Sequence, residues 1–167
     1  DWVNLAEKLK FAKPYWIATI EASRVKEGMA YVAFDGHRLD DEDPLVYVTE
    51  DFGETWKSLR GNLPSGSSRC LREDVINPNV LYLGTEFALH VSINRGQSWT
   101  RLNNNLPTAA VHEIAVHPTA GEIVAATHGR SVWILDVTAL RQMATEAIKH
   151  LPILYKPSTA THWQEMP

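Results

Sequence analysis

Three polar segments carry most of the side chains in this chain that could bind a ligand. They are residues 35–44, 85–86 and 127–130, and each one separates two apolar runs. Arginine, histidine and carboxylate groups on loops of a rigid scaffold can hold a sugar, a carboxylate or the end of a peptide. We predict six ligand-binding residues in these segments: His37, Arg38, Asp41, Glu86, His128 and Arg130. The alternative is a solvated rim held together by ion pairs such as Arg130 with Glu86.

The first segment also contains a run of four acidic residues, 40–43. Ca²⁺ prefers several oxygen ligands on a flexible loop, so Asp40, Asp41 and Asp43 could coordinate it. They lack the spacing and the glycine of a recognised calcium loop. We therefore predict no metal, no cofactor and no catalytic residue here, with calcium at these aspartates as the alternative.

A repeated motif indicates which elements position the polar segments. Residues 46–64 and 90–107 are nearly the same, and Gly53 recurs as Gly96, 43 residues later. Each copy has an alternating apolar run, then Asp or Asn, Gly, a hydroxyl residue, Trp and a second apolar run. Asp or Asn can hydrogen-bond its own turn, and Gly permits a positive φ, so each copy predicts a β-hairpin. Units of about 40–50 residues made of short strands are typical of β-propeller blades.

The turns resemble the Asp-box, or bacterial neuraminidase repeat, S/T-x-D-x-G-x-T-W. The first copy matches it in full and the second has Asn in place of Asp: Thr49, Asp51, Gly53, Thr55 and Trp56; Ser92, Asn94, Gly96, Ser98 and Trp99. The segments LYLGTE and ATHGRSVWILD are most similar to those of large bacterial sortilin-like propeller proteins, which are often labelled glycosyl hydrolases. The resemblance covers residues 1–140. We interpret the ten residues as structural, because the acid is used within its own turn and the Trp anchors the sheet.

The predicted fold is all-β, a propeller segment of roughly three four-stranded antiparallel blades with one short C-terminal helix. The strands are predicted at 16–20, 29–34, 45–49, 55–59, 69–71, 80–85, 88–93, 98–102, 111–116, 122–127 and 131–136. Residues 1–5 are predicted as a fourth strand whose box is missing, 6–14 as a connection, 138–150 as a helix that Pro152 ends, and 153–155 as a possible strand. This divides the chain into blades at 1–137 and a helix with a tail at 138–167.

Strand direction decides which loops share a face. Because successive strands alternate in direction, the loops between second and third strands lie on one face and the Asp-box turns on the other. The three polar segments are all loops of the first kind, so we expect them to converge. Three blades form an incomplete ring. We therefore expect the remaining blades to come from the same polypeptide or from another chain.

Composition excludes some classes of function. The net charge is −4 and the chain has no run of Lys or Arg, which argues against a nucleic-acid partner. The apolar runs are too short for a membrane span. The single Cys70 excludes an internal disulfide and is predicted to be a small apolar residue on a strand. The resemblance implies an extracellular or periplasmic location. The charged run 72–74 is predicted to form salt bridges between blades.

Two classes of function fit the resemblance. A sialidase would need an arginine cluster and a Tyr–Glu pair, which the sequence does not indicate. A xyloglucanase-like hydrolase would need two carboxylates beside a sugar cleft, and Asp41 and Glu86 could take those roles with a partner on other blades. Our leading prediction is a non-catalytic binding or scaffolding propeller that recognises protein or glycan ligands through its second-to-third loops. A glycoside hydrolase is the alternative.

Overall fold

The computed structural model describes residues 3–11, 13–102, 104–145, 154–157 and 159. Within these residues the chain forms three antiparallel sheets, named blades 1, 2 and 3 in chain order. Two short helices, α1 (Ala6–Leu9) and α2 (Thr138–Thr145), flank them. The predicted all-β fold of three successive blades with a helix after them is confirmed.

Strands follow one another in space as they do in the chain. Blade 1 contains β1 (Trp16–Ala22), β2 (Ala30–Asp35), β3 (Leu45–Thr49) and β4 (Lys57–Ser58). Blade 2 contains β5 (Ser68–Glu73), β6 (Leu81–Thr85), β7 (Leu89–Ser92) and β8 (Thr100–Leu102). Blade 3 contains β9 (Val111–Val116), β10 (Glu122–Thr127) and β11 (Val132–Asp136). Each strand pairs with the next, as expected for strands joined by short turns.

The core lies between the blades rather than inside any one of them. Side chains alternate across a strand, so blade 2 has two apolar faces. Leu81 and Leu83 of β6 pack with residues of blade 1, whereas Tyr82 packs with residues of blade 3. All five residues of β6 are consequently buried. An isolated blade would leave both of these faces in water.

Buried polar groups also join the blades. The Glu73 carboxylate accepts hydrogen bonds from Ser23 Oγ and Arg24 N–H at the β1–β2 turn and from Tyr31 Oη. Glu73 thus joins blade 1 through hydrogen bonds and not through a salt bridge. The predicted salt bridges between blades are made by Arg72, whose guanidinium reaches Glu113 of blade 3 at 2.5 Å and Glu21 of blade 1 at 3.8 Å.

Asp74 differs from its two neighbours because it binds α2 instead of another blade. Its carboxylate accepts from Arg141 Nε at 2.9 Å and from Tyr82 Oη at 2.9 Å. Cys70 is buried on β5, and its thiol donates to Val111 O. Burial raises the pKa of that thiol to about 12, as expected for an apolar strand residue.

Some predicted boundaries were wrong. Residues 3–5 lie outside any strand, and part of the expected connection is the helix α1. The fourth strands are shorter than predicted, with two residues in β4 and three in β8. The helix is seen to Thr145, while 146–150 and 153 lie outside the described residues, as do 1 and 2. None of the helices seen in the described ranges is long and apolar enough to cross a bilayer.

Candidate functional site

The loops between second and third strands lie at one edge of the blades, which we call the loop face. It consists of residues 36–44, 86–88 and 128–131 and the linkers that precede β5 and β9. Backbone hydrogen bonds tie the loops to those linkers, from Glu86 N–H to Ser67 O and from His128 N–H to Ala110 O. The predicted residues of all three polar segments therefore lie on the same face.

The opposite edge, the turn face, carries the β1–β2 turn and the two repeated turns. Phe52 N–H donates to Gly28 O there, and Arg95 N–H donates to Asn79 O. The two edges are therefore distinct surfaces, as strand direction requires. Mutations on one can be compared with mutations on the other.

Each first strand contains a β-bulge near its loop-face end. The bulged residues are Ala18, Arg69 and His112, each of which falls between two residues that pair with consecutive positions of the next strand. β1 packs against β5 and β5 against β9, so the three bulges are neighbours in space. A bulge changes the direction of the side chain that it carries. Here all three residues line one open cavity of about 260 Å³.

Arg69 links blades 1 and 2 at this cavity. Its guanidinium donates to Asp35 Oδ2, and its Nε donates to Glu86 Oε2 at 2.8 Å. The side chains of Arg69, Asp35 and Glu86 are 14%, 16% and 22% exposed. Glu86 is thus in an ion pair, as the alternative interpretation required, but its partner is Arg69 and not Arg130. The bulge puts Arg69 beside Glu86, while Arg130 belongs to the loop of the next blade.

Arg38 forms the other wall of the cavity. Its guanidinium carbon lies 5.5 Å from the centre of the Trp16 ring, within the range of a cation–π contact. None of the carboxylates in the described ranges pairs with Arg38. Its donors are thus available to an anion. Trp16, which sequence reasoning missed as a site residue, is 60% exposed and offers a flat apolar surface beside them.

His112 of blade 3 lines the cavity, and His128 of the same blade lies beside it. The rings of His112 and His128 stack with their centres 5.1 Å apart. Both side chains are exposed. Gly129 follows at φ +72°, which allows the tight turn predicted for this loop. Arg130 is exposed on the same loop, and its carbonyl oxygen accepts from Trp133 Nε1.

His37 and Asp41 are held within the first loop instead of lining the cavity. His37 Nδ1 lies 3.3 Å from Glu42 Oε1. Asp41 accepts hydrogen bonds from Tyr15 Oη and from the N–H of Asp43, and these two donors lower its pKa.

Of the six predicted residues, only Arg38 lines the cavity directly. Glu86 bonds to the lining residue Arg69, and His128 stacks on the lining residue His112.

Calcium ligands do not converge in this loop. Asp41 is turned to Tyr15, and Asp43 pairs with Arg60 at 2.7 Å. Across the part of the chain that the structure describes, no three His, Cys, Asp or Glu side chains are grouped so as to hold a metal. Calcium binding at Asp40, Asp41 and Asp43 stays an untested prediction without geometric support.

The two repeated turns use their polar groups internally. Asp51 accepts from Thr49 Oγ1, from Thr55 N–H and from Thr55 Oγ1 at 2.6–2.8 Å. The Thr55 hydroxyl and amide lower the pKa of Asp51 to about 2. Thr49 Oγ1 also accepts from Gly53 N–H at 2.8 Å. Every hydrogen bond of this carboxylate named here closes the turn, on the face away from the cavity.

The second turn has the same geometry, but in one of its hydrogen bonds the donor and the acceptor are exchanged. Asn94 Oδ1 accepts from Ser92 Oγ and from Ser98 N–H at 2.9 Å, and Gly96 N–H donates to Ser92 Oγ. Asn94 Nδ2 donates to Ser98 Oγ at 2.8 Å, where Asp51 accepts from Thr55. An amide can therefore replace the carboxylate without changing the turn.

The Trp residues of the two turns differ in burial. Trp99 is 5% exposed, and its indole N–H donates to Leu59 O of the preceding blade at 2.8 Å. Trp56 is half-buried, and its indole N–H donates to Gly53 O within its own turn. Trp99 packs against residues of blade 1, whereas Trp56 packs with residues in and beside α1, such as Leu9 and Phe11.

No protein-family model and no curated protein matches this chain. Solved structures do match it, and they are β-propeller proteins. An ancestral GH74 enzyme is 25% identical over 67% of this chain and 13% of its own, with a TM-score of 0.57. The GH74 xyloglucanase of Xanthomonas campestris is 14% identical over 80% and 22%, with a TM-score of 0.60. YCF48 bound to D1 peptide is 16% identical over 73% and 37%, with a TM-score of 0.51.

These likenesses define the class of fold. The chain is a segment of a β-propeller, which is what the three successive blades indicated. It spans 13%, 22% and 37% of the three neighbours. The neighbours include enzymes and a protein bound to a peptide, so the fold alone does not select a function.

Proposed function

We propose that this chain is a non-catalytic binding segment of a larger, sortilin-like Asp-box propeller protein, located outside the cell or in the periplasm. The ligand is a protein or glycan that carries a carboxylate and binds at the loop face. The observation that carries the proposal is Arg38, whose guanidinium has no acidic partner among the described residues and lies over Trp16 at the cavity wall. The partners of the chain are this ligand and the remaining blades of the propeller, which belong to the same polypeptide or to another chain.

The chemistry of the cavity supports an anionic ligand with a flat or apolar part. Arg presents a planar set of donors that matches a carboxylate better than Lys does. Trp16 supplies a surface on which a sugar ring or an apolar side chain can stack. The His112 and His128 rings extend that surface across blade 3. Arg130, exposed on the same face, adds a second cationic group.

A glycoside hydrolase is the second candidate, favoured by the two GH74 neighbours. It would need a pair of carboxylates placed across the scissile bond. Asp35 and Glu86, the carboxylates at the cavity, both bond to Arg69, and Asp41 bonds to Tyr15. These three acids are therefore engaged with protein groups, and the catalytic pair would have to lie partly on other blades.

A binding screen tests the proposal. The 167-residue chain is probed with an array of acidic and neutral glycans and with peptides that have free or amidated carboxyl ends. We expect binding to the acidic probes that Arg38→Ala weakens by about 10-fold or more, because a charge-assisted hydrogen bond is worth about 1.5–3 kcal/mol. Arg24→Ala, which removes an exposed arginine from the turn face, is the matched control and should change affinity less than about twofold.

Two results would contradict the proposal. One is equal affinity of the wild type and the Arg38→Ala variant for every probe that binds. The other is release of sugar from xyloglucan or sialylated glycans by the chain, which would establish hydrolysis. A further variant is Arg130→Lys, which keeps the charge but removes the planar set of donors. It should weaken the binding of acidic probes.

A further inference from the structure

Another cavity, separate from the one on the loop face, lies between blades 1 and 2. It is a groove of about 480 Å³ that blade 1 lines with residues of β2, β3 and the segment 57–61. Blade 2 lines it with residues 95–97 of the second repeated turn, so the groove belongs to the turn face. Because both walls lie within the described residues, the groove forms without any further blade. Small-molecule sites have volumes of about 300–1,000 Å³, so the groove is large enough for a ligand.

Arg95 places an unsatisfied hydrogen-bond donor in this groove. Its Nε is buried and has no hydrogen-bond partner among the residues that the structure describes. None of the carboxylates of those residues forms an ion pair with its guanidinium. A buried donor without an acceptor is costly, and few native groups are left in this state. An acceptor supplied by a ligand in the groove would satisfy it.

The repeated turn itself does not need an arginine at this position. Arg95 has φ +56°, and Phe52, its equivalent in the first turn, has φ +59°. The positive φ is therefore a property of the turn and not of either side chain. Both residues line the groove in front of their own blade, Arg95 beside blade 1 and Phe52 beside α1. Since an apolar residue serves the first turn, the arginine of the second turn has another role.

The charges in the groove favour a ligand with one negative charge. Lys57 also lines the groove, and its ammonium pairs with no carboxylate among the described residues. Glu50 is the only carboxylate among the described lining residues, and it accepts a hydrogen bond from Lys26 Nζ. Two lining cations therefore face one carboxylate that already has a partner. A monoanion would balance the remaining positive charge of the lining.

Contacts between the two blades hold the walls of the groove in place. Trp99 N–H donates to Asn62 Oδ1 at 2.7 Å, and Asn62 Nδ2 donates to Trp99 O at 3.0 Å. Gly61 has φ +49°, and a Cβ placed on it would lie 3.0 Å from Gln97 O, so the two backbones are in close contact. A site that is formed before its ligand arrives loses less conformational entropy on binding.

We propose that this groove binds a small monocarboxylate with an aliphatic chain. The carboxylate accepts hydrogen bonds from the planar donors of Arg95, whose geometry it matches, and Lys57 adds a second positive charge. The aliphatic chain contacts the apolar part of the lining, which includes Met29, Val48 and Leu59. The site lies on the turn face and does not rest on the proposed function of the loop face.

Titration of the 167-residue chain with hexanoate and with hexanamide tests the proposal. Binding is followed by NMR of the arginine Nε–H and tryptophan indole N–H signals. We expect hexanoate to shift the signals of Arg95 and Trp99. Hexanamide has the same aliphatic chain without the charge, so it should bind more weakly by about 10-fold or more.

Two variants locate the binding. Arg95→Gln should weaken hexanoate binding by about 10-fold or more. Without ligand, its melting temperature should not fall below that of the wild type, because the substitution removes a buried donor that has no partner. Arg24→Gln removes the same charge from an exposed position on the same face and is the matched control. It should change the affinity for hexanoate by less than about twofold.

Three results would overturn the proposal. One is equal affinity for hexanoate and hexanamide, and another is equal weakening of hexanoate binding in Arg95→Gln and Arg24→Gln. The third is a wild-type Arg95 Nε–H signal that hexanoate leaves unmoved, which would show that the carboxylate does not reach this donor. That measurement needs no variant, so it decides the question even if Arg95→Gln fails to fold.

The same titration in the Arg38→Ala variant separates this site from the loop face. We expect hexanoate to shift the Arg95 signal as much in that variant as in the wild type. If hexanoate shifted only the Trp16 indole signal, and did so only while Arg38 was present, the loop-face proposal would stand and this one would fail. Either proposal can therefore fail while the other holds.

Discussion

His90 should make the stability of this chain depend on pH. The side chain lies on β7 and is 3% exposed, and neither ring nitrogen has a hydrogen-bond partner among the residues that the structure describes. Arg101 on β8 is its cross-strand neighbour. Burial is the larger cause and the charge of Arg101 the smaller one, and together they lower the pKa of His90 from 6.5 to about 4. The folded protein therefore holds this imidazole neutral.

The size of the effect follows from the two pKa values. Between about pH 6.5 and pH 4 the unfolded chain binds a proton at His90 that the folded chain does not bind. The free energy of unfolding therefore has its full value above about pH 6.5. As the pH drops below this, it falls by about 1.4 kcal/mol per pH unit. Over the window this amounts to about 3 kcal/mol, a large share of the roughly 5–15 kcal/mol that stabilises a typical domain.

Urea denaturation of the His90→Leu variant measures this. Wild type and variant are unfolded at the same protein concentration at pH 7.5, 6.0, 5.0 and 4.5, and the difference in unfolding free energy is plotted against pH. We expect the variant to gain on the wild type by about 2–3 kcal/mol between the highest and lowest pH. Tyr47→Leu is the matched control, because Tyr47 occupies the equivalent position on β3 and does not titrate in this range.

The reasoning would be refuted in either of two ways. The difference between His90→Leu and wild type could be the same at pH 7.5 and pH 4.5. Alternatively, an NMR titration could show the His90 ring changing its charge near pH 6.5 in the folded protein. Either result would mean that water or a polar group reaches this imidazole.

Three further variants test the packing of the blades, each by urea denaturation. Arg141→Met should cost about 3–5 kcal/mol at pH 7, because it leaves the buried carboxylate of Asp74 without its cation, and a cost below about 1 kcal/mol would contradict the ion pair. Asn94→Asp should be nearly neutral at pH 7 and lose stability as the pH falls through the low pKa expected of that carboxylate; a large loss at pH 7 would be inconsistent with the turn geometry. Gly84→Ala should cost about 1–3 kcal/mol or more, because its Cβ would lie 2.3 Å from Val111 O, and wild-type stability would show that blades 2 and 3 pack less closely.

The repeat in the sequence was enough to predict the blades. Gly53 and Gly96 mark equivalent turns, and alternation of apolar residues around them located β3, β9 and β10 at their observed bounds. The signal works because each blade must bury two apolar faces and reverse direction at fixed turn residues. The fourth strands were overestimated, since the apolar residues after each Trp continue past the last backbone pairing.

The centre of the candidate site was less accessible to sequence reasoning. Arg69 and His112 lie inside predicted strands or at their ends, where side chains are expected to alternate between two faces, and a bulge interrupts that alternation without a residue signature of its own. Asp41 does not line the cavity because it accepts a hydrogen bond from Tyr15, which is distant in the sequence. The bulges and this hydrogen bond both depend on contacts between distant residues, whereas a single sequence shows only local patterns.

The bulge shared by the three first strands has a consequence for how such a ring can diversify. It presents a different side chain in each blade, Ala18, Arg69 or His112, from one backbone conformation. The residue at each bulge can therefore differ between blades while the strand register stays the same. The ligand selectivity of the cavity could be altered one blade at a time, by a change of the side chain at one bulge. Such changes would keep the strand register, because no ladder hydrogen bond depends on the side chain chosen. At Arg69 a change would also have to provide for the carboxylates of Asp35 and Glu86, which would lose their cation.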